Sequence, residues 1–304
     1  MAREMLTTKE VAEYLSINEK QVYRLIKERK IPASRITGKW LFPKQLVDEW
    51  VMDSARENVG ARLQPRPSDN QVVIAGSNDL ALELLTKNVN LQFPIYTISM
   101  SNIGSLGGLV ALQRGSCQIA ASHLLDVQTG DYNIPIIKEH FSDLDVKVLN
   151  LCYREQGLIV KSNNPLGIQG LGDLASKKAI LVNRQEGSGS RVLFDYKLKQ
   201  KGIDPAAIQG YAKIACTHME VALDVFSGSA DVGIGILAAA KMLGLGFVPL
   251  ATERFDLIVP AGNFSTGAVK ALRQVLGSEK FKLDVAQMEG YDTRDTGKIL
   301  YESH

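Results

Sequence analysis

Beyond residue 71 the chain repeats one unit: a short apolar run, a turn rich in glycine and hydroxyl residues, then a helical pattern. Val72–Ala75 leads into Gly76-Ser77-Asn78-Asp79 and a helix from Leu80. Pro94–Met100 leads into SNIGSLGG and a helix near Leu109–Arg114, and Ile119–Ala121 is followed by His123. The rhythm resumes with Leu158–Val160, a helix and strand between Leu174 and Val182, and Asn183–Arg191 opening a helix to about Lys201. A helix over Val221–Val225 and a strand within Ser227–Gly235 follow, then strands at Phe247–Leu250 and Asp256–Pro260 and a closing helix at Gly267–Leu276. Strands that alternate with helices predict parallel sheets covered by helices on their faces.

The first fifty residues follow another rule. Thr7 with Glu10 three residues on reads as a capping box, and Val11, Ala12 and Leu15 give the helix after it one apolar face. After a break at Ser16-Ile17, Asn18 and Gln21 cap a second helix. Val22, Leu25 and Ile26 point inward; Lys20, Gln21, Tyr23, Arg24 and Lys27 fall on the other side. Pro32 ends this helix. Arg35–Phe42 alternates around Gly38 as a hairpin, Pro43 suits the first turn of a third helix, and Leu46, Val47 and Trp50 form its buried face. Two short helices with a tight turn, the second basic and followed by a hairpin wing, describe a winged helix-turn-helix. Arg35 and Lys39 on the wing are candidates for phosphate contact. Tyr23 and Trp40 are read as base contacts or as core, with core favoured for Trp40.

Charge supports the division. The chain's formal net charge is +2, but residues 18–44 hold eight basic and two acidic residues, so this stretch carries +6 and the remainder −4. Such asymmetry suits a polyanion partner for the N-terminal module, although a solvated charged face reads the same on charge alone. The opening MAREMLTTKEVAEYLS lacks a basic segment followed by an apolar one, so no secretory signal is expected, and the location expected is cytoplasmic. The longest apolar stretch, Val232–Ala240, falls short of the ~20 residues a membrane span needs. Cys117, Cys152 and Cys216 are odd in number and lie far apart, which fits buried reduced thiols and no metal site. The expected domains are 1–53 (DNA-binding), 54–70 (linker) and 71–304 (ligand-sensing). If the third helix runs on to about Val59, that extension is placed to pair with a second copy.

Three turns carry the chemistry: Gly76-Ser77, Gly104-Ser105 and Gly187-Ser188-Gly189-Ser190. Each is expected to set a glycine and a hydroxyl at a helix N-terminus, where free N–H groups and the helix dipole favour anions. One such turn is most often a cap; three that converge make an oxyanion site. Arg184 and Arg191 flank the third turn and are candidates to supply charge.

Two resemblances join these readings. LTTKEVAEYLSINEKQVYRLIKERKIPASRITGKWLFPKQLVDEW resembles the excisionase-type winged helix-turn-helix, related to the MerR fold. AGSNDLALELL, SNIGSLGGLVALQRGSCQIAASHLLD, REQGLIV, VNRQEGSGSR, CTHMEVALDVFSGSADVGIG and ERFDLIVP resemble the molybdate-binding-protein-like domain of the type II periplasmic-binding-protein fold, and GYDTRDTG is similar to the ending of tungstate-binding proteins. The resemblance implies a two-lobed α/β domain, with lobe I at about 71–155 and 250–304 and lobe II at about 156–249. It also implies an oxyanion held by hydroxyls and backbone amides of both lobes: Ser77 and Ser105 from the first, Arg184, Ser188 and Ser190 from the second. His123, just past a strand end, joins them as a candidate; His218 is left between ligand and structural residue.

The function expected is a one-component transcriptional regulator that binds operator DNA, as a homodimer or higher homo-oligomer, and takes molybdate or tungstate as effector with no other cofactor. The same architecture also suits an organic anion held by Tyr153, Arg154, Glu155 and the histidines. A purely architectural DNA binder leaves about 230 residues unused. Without a GxSxG elbow, Walker A motif or HExxH, no enzyme is expected.

Overall fold

A computed structural model describes residues 5–28, 31–36, 38–48, 50–51 and 70–303. The chain divides into two compact units, Met1–Ser68 and Asp69–His304. In the first, strand β1 (Met5–Thr7) precedes α1 (Thr8–Tyr14) and α2 (Glu19–Lys27); β2 (Ser34–Ile36) and β3 (Lys39–Pro43) form the hairpin, and α3 covers 44–48. Both capping boxes form: Thr7 accepts from the Glu10 N–H and Asn18 from the Gln21 N–H, and each third residue bonds back to its cap. Gly38, at φ +81°, makes the hairpin turn, a conformation that costs glycine little. Val11, Ala12, Val22, Ile31, Phe42 and Val47 form the core, with Trp40 packed against it.

Three details of the first unit depart from the sequence reading. The N-terminal residues add a strand, so the sheet order is β1-β3-β2. Pro43 ends β3 instead of opening α3, because its carbonyl side still pairs with Met5. Leu46 is exposed, and Val47 alone of that helix is fully buried. The expected linker and the extension of the third helix lie outside the described residues.

The second unit is built on one sheet, ordered β5-β4-β6-β11-β7-β10-β8-β9: β4 (Gln71–Gly76), β5 (Thr97–Asn102), β6 (Ile119–Ser122), β7 (Val146–Val160), β8 (Leu181–Arg184), β9 (Ile214–Ala215), β10 (Val232–Ile236) and β11 (Gly246–Pro260). Two short strands, β12 (Tyr291–Asp292) and β13 (Ile299–Glu302), pair with β7. Helices α4 (Leu80–Gln92), α5 (Ser105–Gln113) and α6 (Ile134–His140) belong to the first lobe. Helices α7 (Gly172–Ser176), α8 (Gly189–Gln200), α9 (His218–Phe226) and α10 (Leu237–Met242) follow, and α11 (Gly267–Leu276) and α12 (Glu279–Ala286) return to the first lobe. At β4, β5 and β6 the pairing is parallel, as βαβ crossovers require. Gly76, at φ +140°, sits where a Cβ would lie 2.1 Å from the Ala121 carbonyl oxygen, so only glycine lets β4 end this close to β6.

The largest departure from the sequence reading concerns β7 and β11. The sequence shows only Leu158–Val160 of the first and two fragments, Phe247–Leu250 and Asp256–Pro260, of the second; each is one strand of 15 residues. They pair antiparallel along nearly their whole length. The Val146–Cys152 end of β7 and the Asp256–Pro260 end of β11 serve the first lobe, where β11 also pairs with β6. The Gln156–Val160 end of β7 joins β10 in the second. The two strands are therefore the connection between lobes, and a register shift in the pairing falls on each side of the crossing, at Pro249/Ala251 and Phe255/Asp256. Leu158, Leu174, Leu181, Phe194, Leu198 and Val232 make the second lobe's own core. Full burial of each contributes ~1.5–3 kcal/mol.

Candidate functional site

The crossing strands carry charge where strands are usually apolar. Arg154 and Gln156 on β7 and Glu253 on β11 are almost fully buried. Arg154 bonds through Nη1 to Asp79 and through Nε to Glu253 Oε1 at 2.5 Å. The other Glu253 oxygen lies 2.9 Å from His123 Nδ1. With its amide nitrogen turned to Glu253, Gln156 donates to Oε1 (2.9 Å) and accepts from Ser190 Oγ (2.7 Å). A continuous polar path thus runs from Ser190 in the second lobe, through the crossing strands, to His123 and Asp79 in the first. The Phe255 ring stacks on His123 (centroids 5.3 Å apart) and lies under the Arg154 guanidinium (4.7 Å). Burial would raise the Glu253 carboxyl, but Arg154 and His123 outweigh it and hold it down at about 2. Burial pushes the His123 imidazole below its ordinary range despite Glu253.

The lobes meet beside this path. Leu106 N–H points to the Gly187 carbonyl across the cleft (3.4 Å), and a Cβ on Gly189 would fall 2.5 Å from both His123 Nδ1 and its carbonyl oxygen. Ser77 Oγ and Ser105 Oγ are 2.8 Å apart, and Ser105 Oγ accepts from the His123 N–H at 3.1 Å. Gly104 caps α5 with no side-chain bond, and of the first-turn N–H groups the Leu106 one is the one directed at Gly187.

Arg184, at the end of β8, is 2% exposed, yet no carboxylate pairs with it. Its Nη2 donates to the Cys216 carbonyl (2.9 Å), its Nε reaches Gln185 Oε1 at 3.4 Å, and its Nη1 has no protein partner. Burial, with repulsion from Arg154, outweighs the pull of Glu253 and Glu220 and drives its guanidinium down to about 10. His218, the first residue of α9, is 1% exposed, and neither ring nitrogen has a protein partner. Arg154 Nη2 is a further buried donor without one. Arg184, Arg154 and His218 thus each hold a buried polar atom without a protein partner, and their charges act on one another.

On the first unit, Lys20, Gln21, Tyr23, Arg24 and Lys27 all lie exposed along α2, and with Asn18 they line a shallow groove of about 420 Å³. Arg35 and Lys39 are exposed on the hairpin, with the Arg35 guanidinium 5.9 Å from the Trp40 ring centroid. Gln21 spends its carbonyl on the Asn18 N–H. The remaining side chains of this row extend outward from a helix whose buried side is fixed by Val22.

Residues 86–277 match the PBP superfamily domain, and residues 5–54 match a helix-turn-helix domain. The chain belongs to the PBP superfamily. It is 32% identical to YvgK of Bacillus subtilis (strain 168) over 305 aligned positions, covering 98% of each chain. Among solved structures the PBP domain resembles a substrate-binding protein with bound phosphate from Clostridium perfringens (TM-score 0.56, 16% identity, 73% of this chain and 98% of that one). It also resembles the tungstate ABC transporter structure from Geobacter sulfurreducens (TM-score 0.53, 12% identity, 72% and 99%). The chain therefore joins a DNA-binding helix-turn-helix to a two-lobed α/β domain of this superfamily. No helix among the described residues is long and apolar enough to cross a membrane.

Within the PBP domain, Ser77, Ser105, His123 and Ser190 fall on one connected polar path, and Arg184 is electrostatically coupled to that path through Arg154 and Glu253. Ser188 is an N-cap: its hydroxyl donates to the Gln185 carbonyl and accepts the Arg191 N–H. Ser77 does not stand at a helix N-terminus as expected, because Asp79 caps α4 and takes the N–H groups of Ala81 and Leu82. Arg191 is no source of charge for the cleft, since it pairs with Asp195 and stacks on Tyr211. Tyr153 bonds to Asp295 and Glu155 is exposed, because strand alternation sends them to the face opposite Arg154 and Gln156. Cys216 is exposed, unlike the buried Cys117 and Cys152. The sequence reading missed Asp79, Gln156 and Glu253 altogether. The Tyr291 of GYDTRDTG donates to Asp79 at 2.7 Å and so helps to seat Arg154.

Proposed function

We propose that this protein is a one-component, cytoplasmic transcriptional regulator that binds DNA through its helix-turn-helix and senses a small oxyanion, molybdate or tungstate, in the cleft of its PBP domain. One observation carries the reading: among the described residues the buried Arg184 forms no ion pair with a carboxylate, and its Nη1 has no protein partner. An unpaired buried cation costs several kcal/mol, and an anion bound against its free Nη1 offsets that cost. Ser105 and the uncapped N-terminus of α5 offer further donors from the opposite lobe. A tetrahedral dianion, which only accepts hydrogen bonds, suits such a donor set. The role is binding without turnover, and the DNA-bound form is a homodimer, as readers of paired half-sites require.

For ligand to control transcription it must favour one state of the protein; a coupling of ~1–3 kcal/mol changes DNA affinity about 5–150-fold. Titration calorimetry with molybdate, tungstate and sulfate, followed by operator gel shifts with and without the anion that binds, tests both halves. Heat from molybdate or tungstate and an altered shift are expected. Absence of heat from every oxyanion removes the ligand assignment.

A further inference from the structure

His218 is the buried polar group that the site as described leaves unused. It opens α9 behind the Thr217 cap, and its Nδ1 faces the backbone of β10, where a Cβ on Gly235 would lie 3.7 Å away. A neutral imidazole carries one donor and one acceptor, and a buried polar atom without a partner costs ~1–3 kcal/mol. Both His218 nitrogens are in that condition, as is the Nη1 of Arg184, whose charge acts on the ring. The Arg184 guanidinium is placed there by its bond to the carbonyl of Cys216, two residues before His218.

The charged groups that face His218 come from three other elements: Arg184 at the end of β8, Arg154 on β7, and His123 beyond β6. All three oppose protonation, as does burial, and the imidazole is held well below its ordinary range. Glu253, the carboxylate among these groups, is already engaged by Arg154 and His123. An anion seated against Arg184 reverses the balance, since it adds negative charge and an acceptor beside the ring at once.

Resting on the anion-binding reading above, we infer that His218 is a further ligand-contacting residue of the cleft and that it takes up a proton when an oxyanion binds. Binding then transfers one proton from solvent to an imidazole nitrogen, which donates to an anion oxygen; no other bond is made or broken. Affinity for a fully ionised oxyanion falls as pH rises, by up to tenfold per pH unit in the window where the free ring is neutral and the bound ring is charged.

The test is calorimetry with tungstate and with sulfate, neither of which titrates between about pH 6 and about pH 8, in two buffers of different ionisation enthalpy. The expected result for the full-length protein is uptake of about one proton per anion near neutral pH and an affinity that weakens toward pH 8. His218→Gln, which keeps a donor and an acceptor without titrating, should still bind but show no uptake and a flat pH profile. Circular dichroism confirms that this variant folds; should it fail to, the wild-type uptake and its pH slope decide alone. Tight binding of either anion without proton uptake overturns the role of His218 and leaves the anion site standing. So does uptake that persists in a folded His218→Gln. Heat from neither anion at any pH removes the anion site and this inference with it.

Discussion

Two buried arginines act on each other's charge and have opposite surroundings. Arg154, on the strand that crosses between lobes, is held by Asp79 and Glu253. Arg184, at the end of β8, bonds among the described residues only to neutral oxygens, and its Nη1 has no protein partner. Their titration follows suit. Attraction to Glu253 and Asp79 overcomes burial and raises Arg154, whereas burial lowers Arg184 to about 10. A charge that finds its partner inside the chain fixes the fold. One that does not leaves its energy available to whatever brings the missing charge.

The comparison breaks most readily at Glu253. Glu253→Ala removes a carboxylate that Arg154, His123 and Gln156 share, and strands a buried guanidinium. A loss of about 3–5 kcal/mol in urea unfolding is expected. A loss under 1 kcal/mol would mean that water reaches Arg154 and that the two arginines do not differ in kind.

Arg184→Met should do the reverse. It deletes a cation that the folded chain does not compensate, so stability is expected to hold or rise. Oxyanion affinity should fall about 30-fold or more, the worth of ~2 kcal/mol in a charged hydrogen bond. Calorimetry and denaturation on the same sample separate the two effects. A destabilised variant with unchanged affinity would turn Arg184 into a second Arg154.

This contrast explains what could be read in advance. The parallel βαβ part was legible because β4 and β6 are short apolar runs and the turns after β4 and β5 are rich in glycine and hydroxyl residues. The helix-turn-helix was legible because both capping boxes are local in sequence. The long strands were not. REQG at 154–157 and TERF at 252–255 read as breaks, since a buried charge is legible only once its partner is known, and Arg154 and Glu253 are 99 positions apart. The three serine turns were found by composition, which cannot distinguish Ser188, occupied as a cap, from Ser105, directed at the neighbouring Ser77 and His123. His218 was visible only as a lone histidine. Its significance lies in what does not touch it.

Acid titration sharpens the comparison at intermediate scale. His123 and His218 are both buried with lowered affinity for protons. The unfolded chain therefore binds protons that the folded chain refuses as pH falls below the ordinary imidazole value of 6.5. Stability should be complete above that pH and decline below it by up to about 1.4 kcal/mol per pH unit for each ring. Glu253, held near 2 against its ordinary 4.5, adds a later loss as pH drops through that range. Denaturant melts of the anion-free protein at several pH values check the first slope, and a flat profile from neutral to mildly acidic pH would contradict the burial of these rings.

The smallest effect belongs to an arginine of a third kind. Arg24 is exposed on α2, among Lys20, Tyr23 and Lys27, and has solvent in place of either a partner or a buried void. Its charge costs the fold almost nothing, so Arg24→Ala should leave unfolding within about 0.5 kcal/mol of wild type. Its effect should appear on DNA alone, as a loss of about 1 kcal/mol in operator affinity, and the loss has a signature that identifies its source. If Arg24 contacts phosphate, every sequence weakens together and the slope of log affinity on log salt becomes shallower by about one. If it reaches a base edge, the operator weakens while nonspecific DNA hardly changes. Gel shifts at two salt concentrations, with operator and scrambled duplexes, discriminate the two. Unchanged affinity for both would take Arg24 out of the DNA-binding face and leave recognition to its neighbours on α2 and to the hairpin.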